Sequence, residues 1–147
     1  MQPDFRAFFE SYVDAYNRSL GERVDVAGIR KHFADSFIAA GPQGVVTGDN
    51  DESFIETLKK GYAFYRAIGT RHLDIHEIDA ISIDGMHYQA TVSYRARYHK
   101  PDAEVTIPFD VTYMLEWRDN QLKIFGYVSC DEMALYRKYG IIHDAAE

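Results

Sequence analysis

At 147 residues, with 46% hydrophobic and 14% aromatic side chains, the chain has the size and composition of one globular domain, residues 1–147, with a core of useful size. Its 23 acidic residues against 16 basic ones give a net charge of -7, so neither nucleic acid nor an anionic membrane is an expected partner. No apolar run approaches the roughly 18 residues of a membrane span. The opening Met1-Gln2-Pro3-Asp4 is no basic secretory leader, and the single cysteine, Cys130, allows neither an intrachain disulfide nor a thiolate cluster; a reducing, cytoplasmic setting is expected.

Phe5, Phe8, Phe9, Tyr12, Tyr16 and Leu20 recur at helical spacing between Pro3 and Gly21, which predicts an amphipathic helix over 3–20 with an aromatic stripe. A second, shorter helix follows from an Asp25 cap, with Val26, Ile29 and Phe33 on one side, and ends near Asp35. Ser36 to Ala40 reads as a strand, Gly41 to Gly44 as a turn, and Val45 to Thr47 as a short strand beyond it. Asp49 with Glu52 resembles a capping box for a third helix, in which Phe54, Leu58, Tyr62, Tyr65 and Ile68 share a face before Gly69 stops it.

From Thr70 the hydrophobic period changes to two. Strands over about 71–83, 86–98, 104–117 and 121–130 are separated by Asp84-Gly85, Lys100-Pro101-Asp102 and Asp119-Asn120, and Asp131 caps a last helix that ends at Gly140. Helices in front and an antiparallel meander behind predict an α+β domain, with three N-terminal helices packed on one face of the sheet. On the strand 86–98, alternation gives Tyr88, Ala90, Val92, Tyr94 and Ala96 one face, and Gln89, Thr91, Ser93, Arg95 and Arg97 the other. The next strand is apolar at both parities, so period alone does not say where its one carboxylate, Asp110, points. A buried acid must be paired, hydrogen-bonded or held protonated, which makes Asp110 a candidate for chemistry.

Several stretches carry a family pattern: Ser11-Tyr12-Val13-Asp14-Ala15-Tyr16-Asn17 late in the first helix, His32-Phe33-Ala34-Asp35-Ser36-Phe37, Ala90-Thr91-Val92-Ser93-Tyr94, and the run from Asp131 to Gly140. With the order of elements, these resemble the nuclear transport factor 2-like superfamily, which includes SnoaL-like polyketide cyclases, ketosteroid isomerase and scytalone dehydratase. The resemblance implies a cystatin-like fold, a strongly curved sheet and helices forming a cone-shaped pocket, and a homodimer built through the outer face of the sheet. It implies Phe33, Tyr62, Tyr65, Val92, Tyr94 and Val128 as lining residues, with Tyr12, Tyr16, His72 and Asp110 as the polar, catalytic end.

Similarity to the ketosteroid isomerases pairs Tyr12 with Asp110 as two donors to a developing enolate oxygen, whereas the position of that family's base is Gly41, before Pro42. Similarity to scytalone dehydratase sets Tyr16-Asn17 in place of a tyrosine-aspartate pair and His72 in place of a catalytic histidine. The bland alternatives are that Tyr12 is one more stripe aromatic, that Asp110 pairs with Arg95 or Arg97 across the sheet, and that His72 is a cross-strand polar residue. His72 and His76 are no metal pair, since four residues of strand separate them by roughly 13 Å at about 3.3 Å per residue. No metal and no cofactor are expected. The serines lack a nucleophile elbow and the glycines do not form a phosphate cradle. The expected protein is a pocket for a small hydrophobic molecule, acting as a cofactor-free lyase or isomerase on a cyclic or carbonyl compound; the alternative is a non-catalytic ligand-binding or dimeric assembly module.

Overall fold

An aspartate opens each helix. Asp4, Asp25, Asp51 and Asp131 accept hydrogen bonds from the backbone N–H groups of Ala7, Gly28, Ser53 and Ala134, at 3.0, 3.1, 2.9 and 3.0 Å. Each bond satisfies a donor that the first helical turn leaves free. The helices in the computed structural model, which describes residues 2–142, are α1 (Phe5–Ser19), α2 (Val26–Arg30), α3 (Glu52–Ala67) and α4 (Glu132–Lys138). None is long and apolar enough to cross a membrane. The cap of α3 is Asp51 rather than Asp49, which instead accepts from the Ser36 hydroxyl at 3.0 Å. Helix α2 is shorter than its hydrophobic spacing suggests, because Phe33 is drawn into the core as the first residue of a strand.

The strands are β1 (Phe33–Gly41), β2 (Gly44–Asp49), β3 (Thr70–Ser82), β4 (His87–His99), β5 (Glu104–Arg118) and β6 (Gln121–Val128), ordered β2-β1-β6-β5-β4-β3 in one curved, unclosed sheet. The four long strands form the expected antiparallel meander, β1 pairs antiparallel with β2, and β1 and β6 run parallel. The β5–β6 hairpin turns on Asp119 (φ 53°) and Asn120 (φ 59°), the residue types that tolerate two successive left-handed conformations. Gly69, at φ 90°, ends α3 where any Cβ would come within 2.5 Å of the His99 carbonyl oxygen.

The helices cover the face that carries Ala90, Val92, Tyr94 and Ala96, all buried, in agreement with the alternation on β4. Antiparallel register then fixes β5. Tyr94 lies opposite Phe109, Val92 opposite Val111 and Ala90 opposite Tyr113, so Asp110, opposite Ser93, is exposed on the far side.

Strand β6 departs from strict alternation. Leu115 pairs with Ile124 but the adjacent Met114 pairs with Gly126, leaving Phe125 as an extra residue, a β-bulge. Leu122 and Ile124 point inward, yet beyond the bulge the parity flips: Tyr127 turns in and Val128 turns out, 54% exposed. The outer face carries exposed apolar residues, Ile81, Ile38 and Val128 among them, with the exposed Gln89 between Ile81 and the half-buried Met114.

The edge strand β3 is held by α1. The Asn17 side-chain N–H donates to the Leu73 carbonyl at 3.0 Å, and the Leu73 N–H donates back to Asn17 Oδ1 at 2.8 Å. Only an amide can make both bonds, which explains the asparagine where an acid was expected by resemblance.

Candidate functional site

Between the helices and the inner face of the sheet lies a cavity of about 210 Å³. Helix α1 supplies Tyr12 and Tyr16, one turn apart; α3 supplies Thr57, Leu58, Tyr62 and Tyr65 from its inward stripe. The sheet contributes Phe33, Leu73, Tyr94, Phe109, Tyr113 and Tyr127, and Ser129 and Glu132 close the wall where β6 leads into α4. Seven tyrosines line this space.

Burial pushes the phenol pKa values of Tyr12, Tyr16, Tyr62, Tyr65, Tyr94 and Tyr113 well above their ordinary range, so these groups stay neutral hydrogen-bond donors. Tyr94 and Tyr113 bond to each other, 2.8 Å between hydroxyl oxygens. The rings of Tyr16, Tyr62 and Tyr65 cluster, with centroids 5.1, 5.7 and 5.6 Å apart. Behind Tyr12 stands the buried His32, ring centroids 5.6 Å apart. Its Nδ1 lies 2.7 Å from the Gly28 carbonyl oxygen, which can only accept, so the proton sits on Nδ1 and Nε2 accepts from the Ser11 hydroxyl at 3.0 Å. Burial lowers the His32 pKa, so it is a neutral structural histidine that fixes α1 against α2.

Among the described residues, Glu132 alone in the lining is charged. Burial raises the pKa of its carboxyl, and no side-chain hydrogen bond or ion pair holds it among the described residues. Its place at the first turn of α4 follows from the Asp131 cap: the cap turns outward to the helix N–H groups and leaves the next side chain over the cavity.

Of the residues expected at the site, Tyr12, Tyr16, Phe33, Tyr62, Tyr65 and Tyr94 do line the cavity. Val92 is fully buried on the inner face but packs below it, and Val128 faces outward beyond the Phe125 bulge. Asp110 is exposed on the outer face and cannot share an oxyanion with Tyr12. It does not pair with the outer-face arginines either: Arg95 reaches His76 at 3.3 Å and Arg97 reaches Asp74 at 3.4 Å. His72 also points outward, with Nε2 3.1 Å from Asp74, because its neighbour Leu73 takes the inward position. Gly41 abuts the site, since a Cβ there would lie 3.2 Å from the Ser129 hydroxyl. Sequence reasoning missed Glu132, Tyr113 and Tyr127. The first was read only as the neighbour of a cap; for the tyrosines the register of β5 and the bulge in β6 carry information that local period does not.

An α+β domain with its helices over a curved, open sheet and a cavity between them defines the nuclear transport factor 2-like class. Residues 3–132 match the family described as NTF2-like protein (DUF6841), and the chain belongs to that family. No curated protein matches the sequence. Among solved structures it is similar to an NTF2-like protein with a cystatin-like fold from Novosphingobium aromaticivorans, at 9% identity over 95% of this chain and 87% of that one, TM-score 0.65. A ketosteroid isomerase-like protein from Erwinia carotovora superimposes over 85% of this chain and 91% of its own, at 14% identity and TM-score 0.53. The β subunit of benzoate 1,2-dioxygenase from Burkholderia mallei does so over 88% and 91%, at 10% identity and TM-score 0.65. At these identities the likeness is one of fold.

Proposed function

We propose that this protein takes a small hydrophobic molecule, cyclic or carbonyl-bearing, into the tyrosine-lined cavity and acts on it without a cofactor, as an isomerase or lyase. The observation that carries the reading is Glu132: among the described residues, a carboxyl without a side-chain partner in a wall that otherwise offers only neutral groups. Burial tunes such a group toward neutral pH, where it can take a proton from carbon and return it. The negative charge that develops on the substrate oxygen as the C–H bond breaks would accept hydrogen bonds from tyrosine hydroxyls, with Tyr12 and Tyr16 as the donors on α1. Returning the proton to a second carbon completes an isomerisation; delivering it to a departing hydroxyl completes a dehydration. Glu132 thus fills the role that Gly41 leaves empty.

The test is proton exchange. Cyclic ketones incubated with the protein in D₂O should exchange their α-protons, followed by NMR, and Glu132→Gln should slow that exchange by about 10²- to 10⁴-fold. Undiminished exchange in the variant would remove Glu132 from the chemistry.

A second reading concerns assembly, favoured by the apolar outer face with Ile38, Ile81 and Val128 exposed. A homodimer through that face would bury it, and the dioxygenase β subunit shows the same fold within a larger enzyme. Light scattering should give twice the chain mass for the native protein and the single-chain mass for Val128→Arg.

A further inference from the structure

We propose that the ligand of this cavity carries a cationic nitrogen, a quaternary or tertiary ammonium, seated against the rings of Tyr16, Tyr62 and Tyr65 with the Glu132 carboxylate as its counter-ion. The inference rests on the cavity being the ligand site, and it adds the chemical class of what enters.

Charge gives the first argument. Among the described lining residues there is no lysine, arginine or histidine, so a carboxylate or phosphate ligand would be desolvated beside Glu132 with tyrosine hydroxyls as donors and no opposite charge. A cation meets the opposite situation, and the net charge of -7 favours its approach. Ring geometry gives the second. Tyr16, Tyr62 and Tyr65 all line the cavity with centroids 5.1, 5.7 and 5.6 Å apart, two of the contacts edge-to-face, so a cation beside the cluster comes within the roughly 6 Å over which a ring attracts it. Size gives the third. At about 210 Å³ the cavity is smaller than the roughly 300–1,000 Å³ of drug-sized sites and suits a compact head group.

The same arrangement links binding to protonation. Around Glu132 stand Tyr12 and Tyr16 from α1, Tyr65 from α3, Tyr98 from β4, Tyr127 from β6, Tyr136 from α4, and Cys130. All have raised pKa values and stay neutral where Glu132 titrates. An empty cavity favours the protonated carboxyl, whereas an ammonium favours the ionised one. Cation binding therefore releases a proton and strengthens as pH rises through the Glu132 transition.

Calorimetry with choline, its neutral isostere 3,3-dimethyl-1-butanol, and acetate tests this on the whole chain. Choline should bind at least about tenfold more tightly than the neutral alcohol, and acetate not at all. Glu132→Gln should bring choline down to the level of the alcohol while leaving the alcohol unchanged. Tyr16→Phe, which keeps the ring, should retain choline binding, whereas Tyr16→Leu should lose it; thermal melts confirm that both variants fold. Equal affinity for choline and alcohol, or tighter binding of acetate, overturns the cation assignment and leaves the pocket reading intact. Failure of all three probes and of cyclic ketones overturns both.

Discussion

The two faces of the β4–β5 ribbon differ by one residue step and by nearly everything else. On the inner face Tyr94 stacks beside Phe109 with centroids 5.4 Å apart and bonds to Tyr113, within a wall of aromatic rings. One step along, Ser93 lies opposite Asp110 among exposed and half-buried polar residues. Asp110 on β5 and Glu132 at the first turn of α4 are both carboxylates, yet the first is exposed and the second is desolvated, which raises the pKa of its carboxyl. Placement over the cavity or on the far face of the sheet, rather than residue type, separates the two acids.

The largest expected effect is on the inner face. Leu115→Ala, at a site with no exposure, should cost about 2–5 kcal/mol in urea denaturation, through lost transfer energy and the cavity left behind. An intermediate effect belongs to the edge where the helices meet the sheet. Asn17→Leu strands both backbone groups of Leu73 and should cost about 1–3 kcal/mol, with faster amide exchange at Leu73 as the local signature. The smallest lies outside: Asp110→Ala should stay within about 0.5 kcal/mol of the native protein and leave ligand binding unaltered. If Asp110→Ala abolished binding or matched the cost of Leu115→Ala, the contrast between the faces would be wrong.

Much of the scaffold was legible because its signals are local. The aspartate caps of α2 and α4, glycine at the end of α3, and turns at Asp84-Gly85 and Asp119-Asn120 act within a few residues of themselves, and strict alternation on β4 gives its buried face correctly. The parallel contact of β1 with β6 was not legible, since it joins segments separated by the whole meander. The site was half legible for the same reason. Tyr12, Tyr16, Tyr62 and Tyr65 sit on helical stripes that any reading by period finds. Asp110 sits on a strand apolar at both parities, where only pairing with β4 reveals its side, and His72 takes the side its neighbour Leu73 vacates. Glu132 was hidden by the stronger local meaning of Asp131.

The extra residue at Phe125 makes the identity of one wall a matter of counting. Removing it would restore an unbroken two-residue rhythm along β6 and leave Tyr127 opposite Tyr113, still facing the chamber; pairing Phe125 regularly opposite Met114 instead would turn Tyr127 to the solvent side and present the Val128 side chain to the chamber in its place. Loss of the bulge, and not of the residue, would thus exchange a phenol for an aliphatic surface without any substitution, a short path by which a chain of this architecture can change what its interior accepts.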